Sequence, residues 1–345
     1  MKDIYISGEP REVEMEDVFS DSSHSLQSPD PPEKGKKRRK KKRKKKSRLI
    51  KFIKAVFIIF VVITLLISGT ALVSGYKFRF HKRNQYISIT DLYNSPFVTN
   101  ILLIGTDEAS GGASRSDSMI LLSLDYAHGK IKMTSFLRDC LVMIPSKGTK
   151  NKLNSAYVYG GAQLLCDTIE YNFRVDIDRY VKVDFDMFTK MIDNLGGIDI
   201  EVTAAEADFI NRTTRHTVSS GKSVHLNGAE ALVYARIRKL DSDYMRTFRQ
   251  RKIITALIDK FTHTSPLELI KAVNSVLPLL ETDLNPLDIA FTAYKGAFAA
   301  AFFDIQQMKM PEDNMMRTGY VGNQWAEIPD LAKCIQALYD FIYKS

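Results

Sequence analysis

The sequence predicts an α/β domain, with helices packed on a central sheet, preceded by one transmembrane helix. Three observations carry this. Residues 55–73, AVFIIFVVITLLISGTALV, contain no charge and lie between Lys54 and Lys77. Residues 34–54, just before them, hold fifteen Lys/Arg and no acid. After residue 100, short apolar runs ended by turn residues alternate with longer amphipathic ones, the pattern of strands and helices sharing one sheet.

The chain of 345 residues divides by composition. Residues 1–33 carry nine Asp/Glu against two Lys/Arg, are rich in Ser, Asp and Pro, and read as a disordered acidic cytoplasmic tail. Residues 34–54 are a polybasic juxtamembrane segment. A bilayer needs about 20 apolar residues in a helix, so 55–76 read as a transmembrane helix. A cleavable signal peptide fits poorly, because the preceding polar stretch far exceeds a signal peptide's short basic region. Lys and Arg beside a span stay cytoplasmic, which places the C-terminal part outside the membrane. No second span appears; AYKGAFAAAFF is too short and too interrupted. Residues 77–99 read as a stalk and 100–345 as the extracytoplasmic domain.

The net charge of +9 belongs to the basic block, since residues 55–345 hold 32 Lys/Arg against 31 Asp/Glu. That block has no interleaved aromatics and no helix-turn-helix pattern, and it abuts the span. Attraction to anionic inner-leaflet lipid explains it more simply than nucleic acid does. Cys140, Cys166 and Cys334 lie far apart, with no CxxC pair and no His at ligand spacing. This excludes a disulfide framework, argues against zinc, and leaves buried free thiols as the expectation.

Within the domain, NILLIG and SMILLSLD read as buried strands, and DYAHGK turns the second into IKMTSFL. Helical pattern covers 160–173. RYVKVDF alternates as a strand, MFTKMIDNLGG is a helix closed by glycine, and IDIEV is the next strand. LNGAEALVYAR is a short helix with Asn227 as its cap, and 244–262 is a longer one. Three further helices begin at PLELIK, PLDIAF and IPDLAK.

The unusual polar groups fall at element ends. Asp107, Arg115 and Asp117 lie in a Gly/Ser-rich loop between two strands; Arg138 and Asp139 follow MTSFL. Arg236 and Arg238 follow the short helix, Asp241 and Asp243 come next, and Arg246, Arg249 and Gln250 share a face of the long helix. Strand ends of α/β sheets are where ligands bind. Arginine forks suit phosphate oxygens, and two loop aspartates suit Mg²⁺, which is often shared with substrate phosphates. Taken singly, Arg138–Asp139 reads as a structural ion pair, Asp107 as a turn residue and Arg249 as a solvated helix face. Together they point to a polyphosphate or pyrophosphate site with a bound metal.

The motifs NILLIGTD…SRSDSMILLSL, SFLRDCLVMIP, KLNSAYVYGG, RYVKVDFDMFTKMIDNLGGIDIEV, HLNGAEALVYARIR and DYMRTFRQRKII occur in this order. The set resembles the LytR-CpsA-Psr family of Gram-positive membrane-anchored phosphotransferases. The resemblance implies a three-layer α/β/α sandwich with a central mixed sheet and an apolar pocket for a prenyl chain. It implies transfer of an anionic glycopolymer, such as teichoic acid or capsule, from an undecaprenyl-pyrophosphate carrier to peptidoglycan. It implies that Asp107 and Asp117 bind Mg²⁺ and that Arg115, Arg138, Arg236, Arg238 and Arg246 contact the pyrophosphate, with Asp243, Arg249 and Gln250 nearby. Asp107, Arg138 and Asp139 are the candidate catalytic residues. Many relatives carry Arg where this chain has Glu108, which removes one phosphate contact. The alternatives are a membrane-bound transcriptional regulator, a polyprenyl-pyrophosphate hydrolase and a non-catalytic lipid-binding protein.

Overall fold

A computed structural model describes residues 77–79, 82–107, 116–238, 240 and 243–344. The acidic tail, the polybasic segment and the expected membrane helix lie outside these residues. No helix among the described residues is long and apolar enough to cross a membrane.

The strands in chain order are β1 (Lys77–Phe78), β2 (Val98–Thr106), β3 (Ser116–Asp125), β4 (Lys130–Phe136), β5 (Leu141–Ile144), β6 (Thr149–Lys152), β7 (Arg179–Val183), β8 (Ile198–Val202), β9 (Gly221–Leu226), β10 (Glu281–Thr282), β11 (Asp304–Met310), β12 (Met316–Val321) and β13 (Gln324–Pro329). The helices are α1 (Ser155–Phe173), α2 (Phe185–Asn194), α3 (Ala204–Thr214), α4 (Gly228–Ala235), α5 (Asp243–His263), α6 (Pro266–Val276), α7 (Pro286–Phe302) and α8 (Leu331–Tyr343). Seven strands form a central mixed sheet in the order β1-β10-β7-β2-β3-β4-β11. β2 runs parallel to β7 and antiparallel to β3; β4 is antiparallel to β3 and parallel to β11.

Alternation along the strands assigns the two faces. Leu102 and Ile104 of β2 and Met119 and Leu121 of β3 join α1 and α8 residues such as Leu165, Ile169, Leu338 and Ile342 in one core. On the opposite face, Leu122, Leu124 and Ile131 meet Ala299 of α7 and Ile258 of α5. A sheet covered on both faces needs apolar residues at successive positions, which is why NILLIG is a continuous run rather than an alternating one. A second core forms around α2, α3, α4, β8 and β9, and Ile253 and Leu257 of α5 belong to it. The long helix α5 therefore lies against both the sheet and this second core, which fixes its N-terminal turn at the sheet edge.

The strands and helices expected from periodicity are present, and the differences have physical causes. Residues 77–99, expected as a stalk, are in part built into the domain. Lys77–Phe78 pairs with β10, Asn84 donates to Glu170 at 2.9 Å, and Leu92 is buried. The helix expected over 160–173 begins at Ser155 and breaks at Gly160–Gly161, where Gly161 has φ +66°. A side chain at Gly160 would collide with Leu164, so the break needs glycine. β11 (DIQQMKM) gave no apolar signal because it pairs only with β4 and sits at the sheet edge. The β12–β13 hairpin is largely exposed and equally silent. Cys140, Cys166 and Cys334 are all buried free thiols.

One polar link crosses the first core. Lys132 of β4 and Asp125 of β3 are both fully buried, 2.8 Å apart, and Lys132 also donates to the Ile342 carbonyl of α8 at 2.9 Å. Burial alone would push the Asp125 carboxyl up; the Lys132 and His128 hydrogen bonds outweigh it and hold it below its usual value. Removing one partner of a buried pair leaves the other uncompensated, so Asp125→Ala should cost roughly 3–5 kcal/mol in equilibrium denaturation. Because the folded pKa is depressed, the wild-type contribution should be complete above about pH 4 and lost as pH falls through the folded pKa. A loss within about 0.5 kcal/mol, the range of a neutral surface substitution, would show that the pair does not hold α8 to the sheet.

Candidate active site

The site forms where the start of β3 meets the ends of β4 and α4 and the start of α5. Its centre follows from strand register. Gly105 pairs with Ser118, but Thr106 pairs with Ser116, so Asp117 is the extra residue of a β-bulge. Bulges re-aim a side chain at the point where pairing is interrupted. Here the bulge turns Asp117 toward three arginines from three elements.

Arg138, in the turn after β4, donates from Nη1 to Asp117 Oδ1 at 2.9 Å. Arg238, between α4 and α5, donates from Nη2 to Asp117 Oδ2 at 2.8 Å. Arg246, in the first turns of α5, is buried and donates to the Asp117 backbone carbonyl at 3.3 Å. Burial of Asp117 acts to raise its pKa; Arg238 first, then Arg138 and Arg246, outweigh that and hold the carboxyl below its ordinary value. Asp117 is thus ionised at neutral pH, a fixed anion that gathers the guanidiniums without neutralising them all.

The neighbouring residues extend this network. Ser118 donates to the Gln250 side-chain oxygen at 3.0 Å, tying α5 to β3 beside the bulge. Asp139 meets Arg138 Nε at 3.3 Å and Lys152 Nζ at 2.8 Å. A cleft of about 580 Å³ opens here, lined by Asp117, Arg138, Asp139 and Arg238 among others.

Of the residues singled out from sequence, Asp117, Arg138, Asp139, Arg238, Arg246 and Gln250 come together. Asp107 is the residue directly after β2, at the same end of the strand pair as Asp117. Arg115 lies outside the described residues, and the described structure gives Asp243 as the first residue of α5. Two arginines point elsewhere. Arg249 is buried, with Nε 2.7 Å from Glu206 and Nη1 3.3 Å from the Ile237 carbonyl. Glu206 also closes the capping box of α3 with Thr203, so Arg249 holds α5 to that helix start. Arg236 caps α4 and stacks on the Phe185 ring at 4.3 Å. Sequence reasoning missed Lys152, Asn154 and Tyr159 at the cleft; the motif KLNSAYVYGG contained all three, but nothing in its charge pattern marked them.

The sequence pattern that defines the LytR_cpsA_psr family matches residues 69–336. The chain belongs to the LytR_cpsA_psr family. Among relatives of this family, it is 38% identical over 195 residues to the polyisoprenyl-teichoic acid–peptidoglycan teichoic acid transferase TagV of Bacillus subtilis (strain 168). That match covers 54% of this chain and 49% of TagV, so the chain spans about half of that relative's length. It is 34% identical to the corresponding TagU of the same organism, over 63% of this chain and 69% of TagU. A Staphylococcus aureus (strain COL) relative, 40% identical over 46% of this chain and 47% of its own, bears the name regulatory protein MsrR. In structure, the LytR_cpsA_psr domain resembles crystalline B. subtilis TagV, with TM-score 0.58 and 30% identity, covering 73% of this chain and 100% of that one. It shares its fold with TagT bound to LIIa-WTA, with TM-score 0.60 and 24% identity, over 75% and 94% of the two chains.

The two kinds of arginine should separate in stability measurements. Arg249→Ala leaves Glu206 buried without its cation and should cost roughly 3–5 kcal/mol. Arg238, half exposed, makes a surface-type pair, so Arg238→Ala should change stability by at most about 1 kcal/mol. Chemical denaturation of both variants checks this; equal losses would mean that the two arginines share one role.

Proposed function

We propose that this protein transfers a lipid-linked anionic glycopolymer, of the teichoic acid class or a related wall polysaccharide, from a polyprenyl pyrophosphate carrier to peptidoglycan. The observation that carries the reading is the clustering of Arg138, Arg238 and Arg246 around the bulged Asp117 at the start of the central strand β3. Guanidinium forks at fixed positions match phosphate oxygens. The TagV and TagU relatives are named as teichoic acid transferases, and a TagT of the same fold is described with bound octaprenyl pyrophosphate lipid.

The sheet supports an apolar partner beside the arginines. Leu103 of the central strand β2 and Leu122 of β3 are only partly buried, although their strands are flanked on both sides. A central sheet position reached by solvent implies a space between the sheet and the helices covering it, which suits a prenyl chain.

In the reaction, an acceptor hydroxyl oxygen bonds to the phosphorus bearing the polymer. The bond from that phosphorus to the bridging oxygen breaks, and polyprenyl phosphate leaves. Arg138 and Arg238 offset the charge that grows on the leaving phosphate. The proton leaves with a base, for which Asp107 and Asp139 are the carboxylates at hand.

The donor set also fits a magnesium ion. Asp107 follows the last residue of β2 and Asp117 lies near the start of the neighbouring β3, and the Asp117 carboxylate keeps lone pairs beyond those its arginines use. Mg²⁺ takes one or two carboxylates and fills its shell with phosphate oxygens and water. Bound there, it would add Lewis-acid stabilisation of phosphate charge. The three-layer architecture, the single N-terminal membrane helix, the extracytoplasmic domain and the polybasic contact with anionic lipid belong to the same proposal.

Full-length protein in lipid nanodiscs, given a lipid-pyrophosphate-linked glycopolymer, peptidoglycan and Mg²⁺, should form the polymer–peptidoglycan phosphodiester. Arg238→Lys keeps the charge but loses the fork and should slow transfer roughly tenfold or more. Asp117→Ala should abolish it. Transfer at wild-type rate by both variants would refute the proposal.

A further inference from the structure

The cleft has an end that the arginine chemistry does not use. We propose that this end binds the acceptor saccharide, with Asn151, Asn154, Ser155, Tyr159 and Gln324 forming a subsite for the sugar whose hydroxyl is the nucleophile. The inference rests on the transfer reading above and names where its second substrate sits.

A line of contacts runs across the cleft. Arg238 meets Asp117 at 2.8 Å, Asp117 meets Arg138 at 2.9 Å, Arg138 meets Asp139 at 3.3 Å, and Asp139 meets Lys152 at 2.8 Å. Lys152 is the last charge among the residues that line this cleft. Beyond it the lining is neutral: Asn151 donates to the Tyr159 hydroxyl at 2.8 Å and accepts from Ser155 at 3.4 Å. An end made of amides, hydroxyls and a ring suits a ligand rich in hydroxyls and without charge.

Asn154 gives the independent indication. It is 6% exposed and stands at the cap position of α1, yet it makes no capping bond. Its side-chain amide bonds to no described residue, while Asn154 lines the cleft. Its amide is open to the cleft, where an incoming hydroxyl can complete its hydrogen bonds in place of water. A sugar hydroxyl, donor and acceptor at once, does so.

Tyr159 supplies an aromatic ring, with Lys147 Nζ over it at 5.0 Å from the centroid. Its ring is 44% exposed, and the chain breaks at Gly160–Gly161 directly after it, which ends the first helical turn at the cleft mouth. Tyr159 also lines a second cleft of about 300 Å³, whose wall includes Lys82, Arg83 and Asp167 as well as Gln163.

Phosphoryl transfer places attacking and leaving oxygens in line. With the pyrophosphate at the arginine end, the nucleophile arrives from the opposite end, which is this one. That assigns the subsite to the acceptor rather than to the sugars of the donor.

The test measures transfer by full-length protein while varying, in turn, the lipid-linked donor and a soluble peptidoglycan glycan strand. Asn154→Ala and Tyr159→Ala should raise the acceptor KM roughly tenfold and leave the donor KM unchanged. Tyr159→Phe, which keeps the ring, should stay within about threefold of wild type. The melting temperature of Asn154→Ala should match wild type, since the side chain caps nothing. An unchanged acceptor KM in both alanine variants overturns the inference, and so does a rise in donor KM alone, which would give the subsite to the donor sugars. If wild type forms no product, the transfer reading fails by itself. Calorimetric titration with the glycan strand then decides the subsite: weaker binding by Asn154→Ala supports it, and equal binding overturns it.

Discussion

The site depends on one carboxylate held off the regular ladder. A strand in strict register would leave Asp117 paired across to β2, facing one side of the sheet. The bulge releases it, and its charge draws arginines from the end of β4, the α4–α5 connection and the first turns of α5. The end of β4 is far in sequence from the other two segments, and like charges do not collect unaided. Ionised Asp117 makes the cluster stable before substrate arrives, so little reorganisation is left for the binding step. This is preorganisation by a fixed counter-charge, and it keeps planar donors aimed where phosphate oxygens would lie.

Much of the fold was legible because burial on both faces leaves a strong imprint. NILLIG, SMILLSL and RYVKV are strands in the structure, and the cap at Asn227 is a capping box with Glu230. Elements with weak burial left none. β11 is held by parallel pairing with β4 at the sheet edge, and the β12–β13 hairpin by a bridge from Glu327 to Cys140, and neither needs apolar periodicity. Residues 77–99 read as a stalk because their anchors are short and scattered: a two-residue strand, the Asn84 side chain, and buried Leu92 and Val98.

The site was legible as a list and not as an arrangement. Charged residues at element ends marked Asp117, Arg138, Arg238 and Arg246 correctly as neighbours. The same reasoning grouped Arg249 with them, since Arg246 and Arg249 lie one turn apart. In the structure, Arg249 turns to Glu206, whose carboxylate already caps α3. Spacing on a helix says which residues share a face; it does not say which of two anions each will meet. Neutral groups at the cleft were invisible for a different reason: an Asn or Tyr in a sequence carries no sign of being unpaired until packing around it is known.

The arrangement also explains how one cleft can serve three chemically different parts of a substrate pair. Its lining passes from a cationic centre at Arg138 and Arg238 to the neutral side chains of Asn151, Ser155 and Tyr159, and partly open apolar sheet residues complete the proposed set. The central claim is that the arginine cluster recognises pyrophosphate rather than lipid as such. The most direct measurement is the affinity of the full-length protein for a polyprenyl pyrophosphate and for the matching polyprenol, each at low and high salt. The account predicts that the pyrophosphate binds at least about a hundredfold more tightly at low salt, from two or more charge-assisted hydrogen bonds, and that salt narrows the gap. Equal affinities at low salt would contradict it.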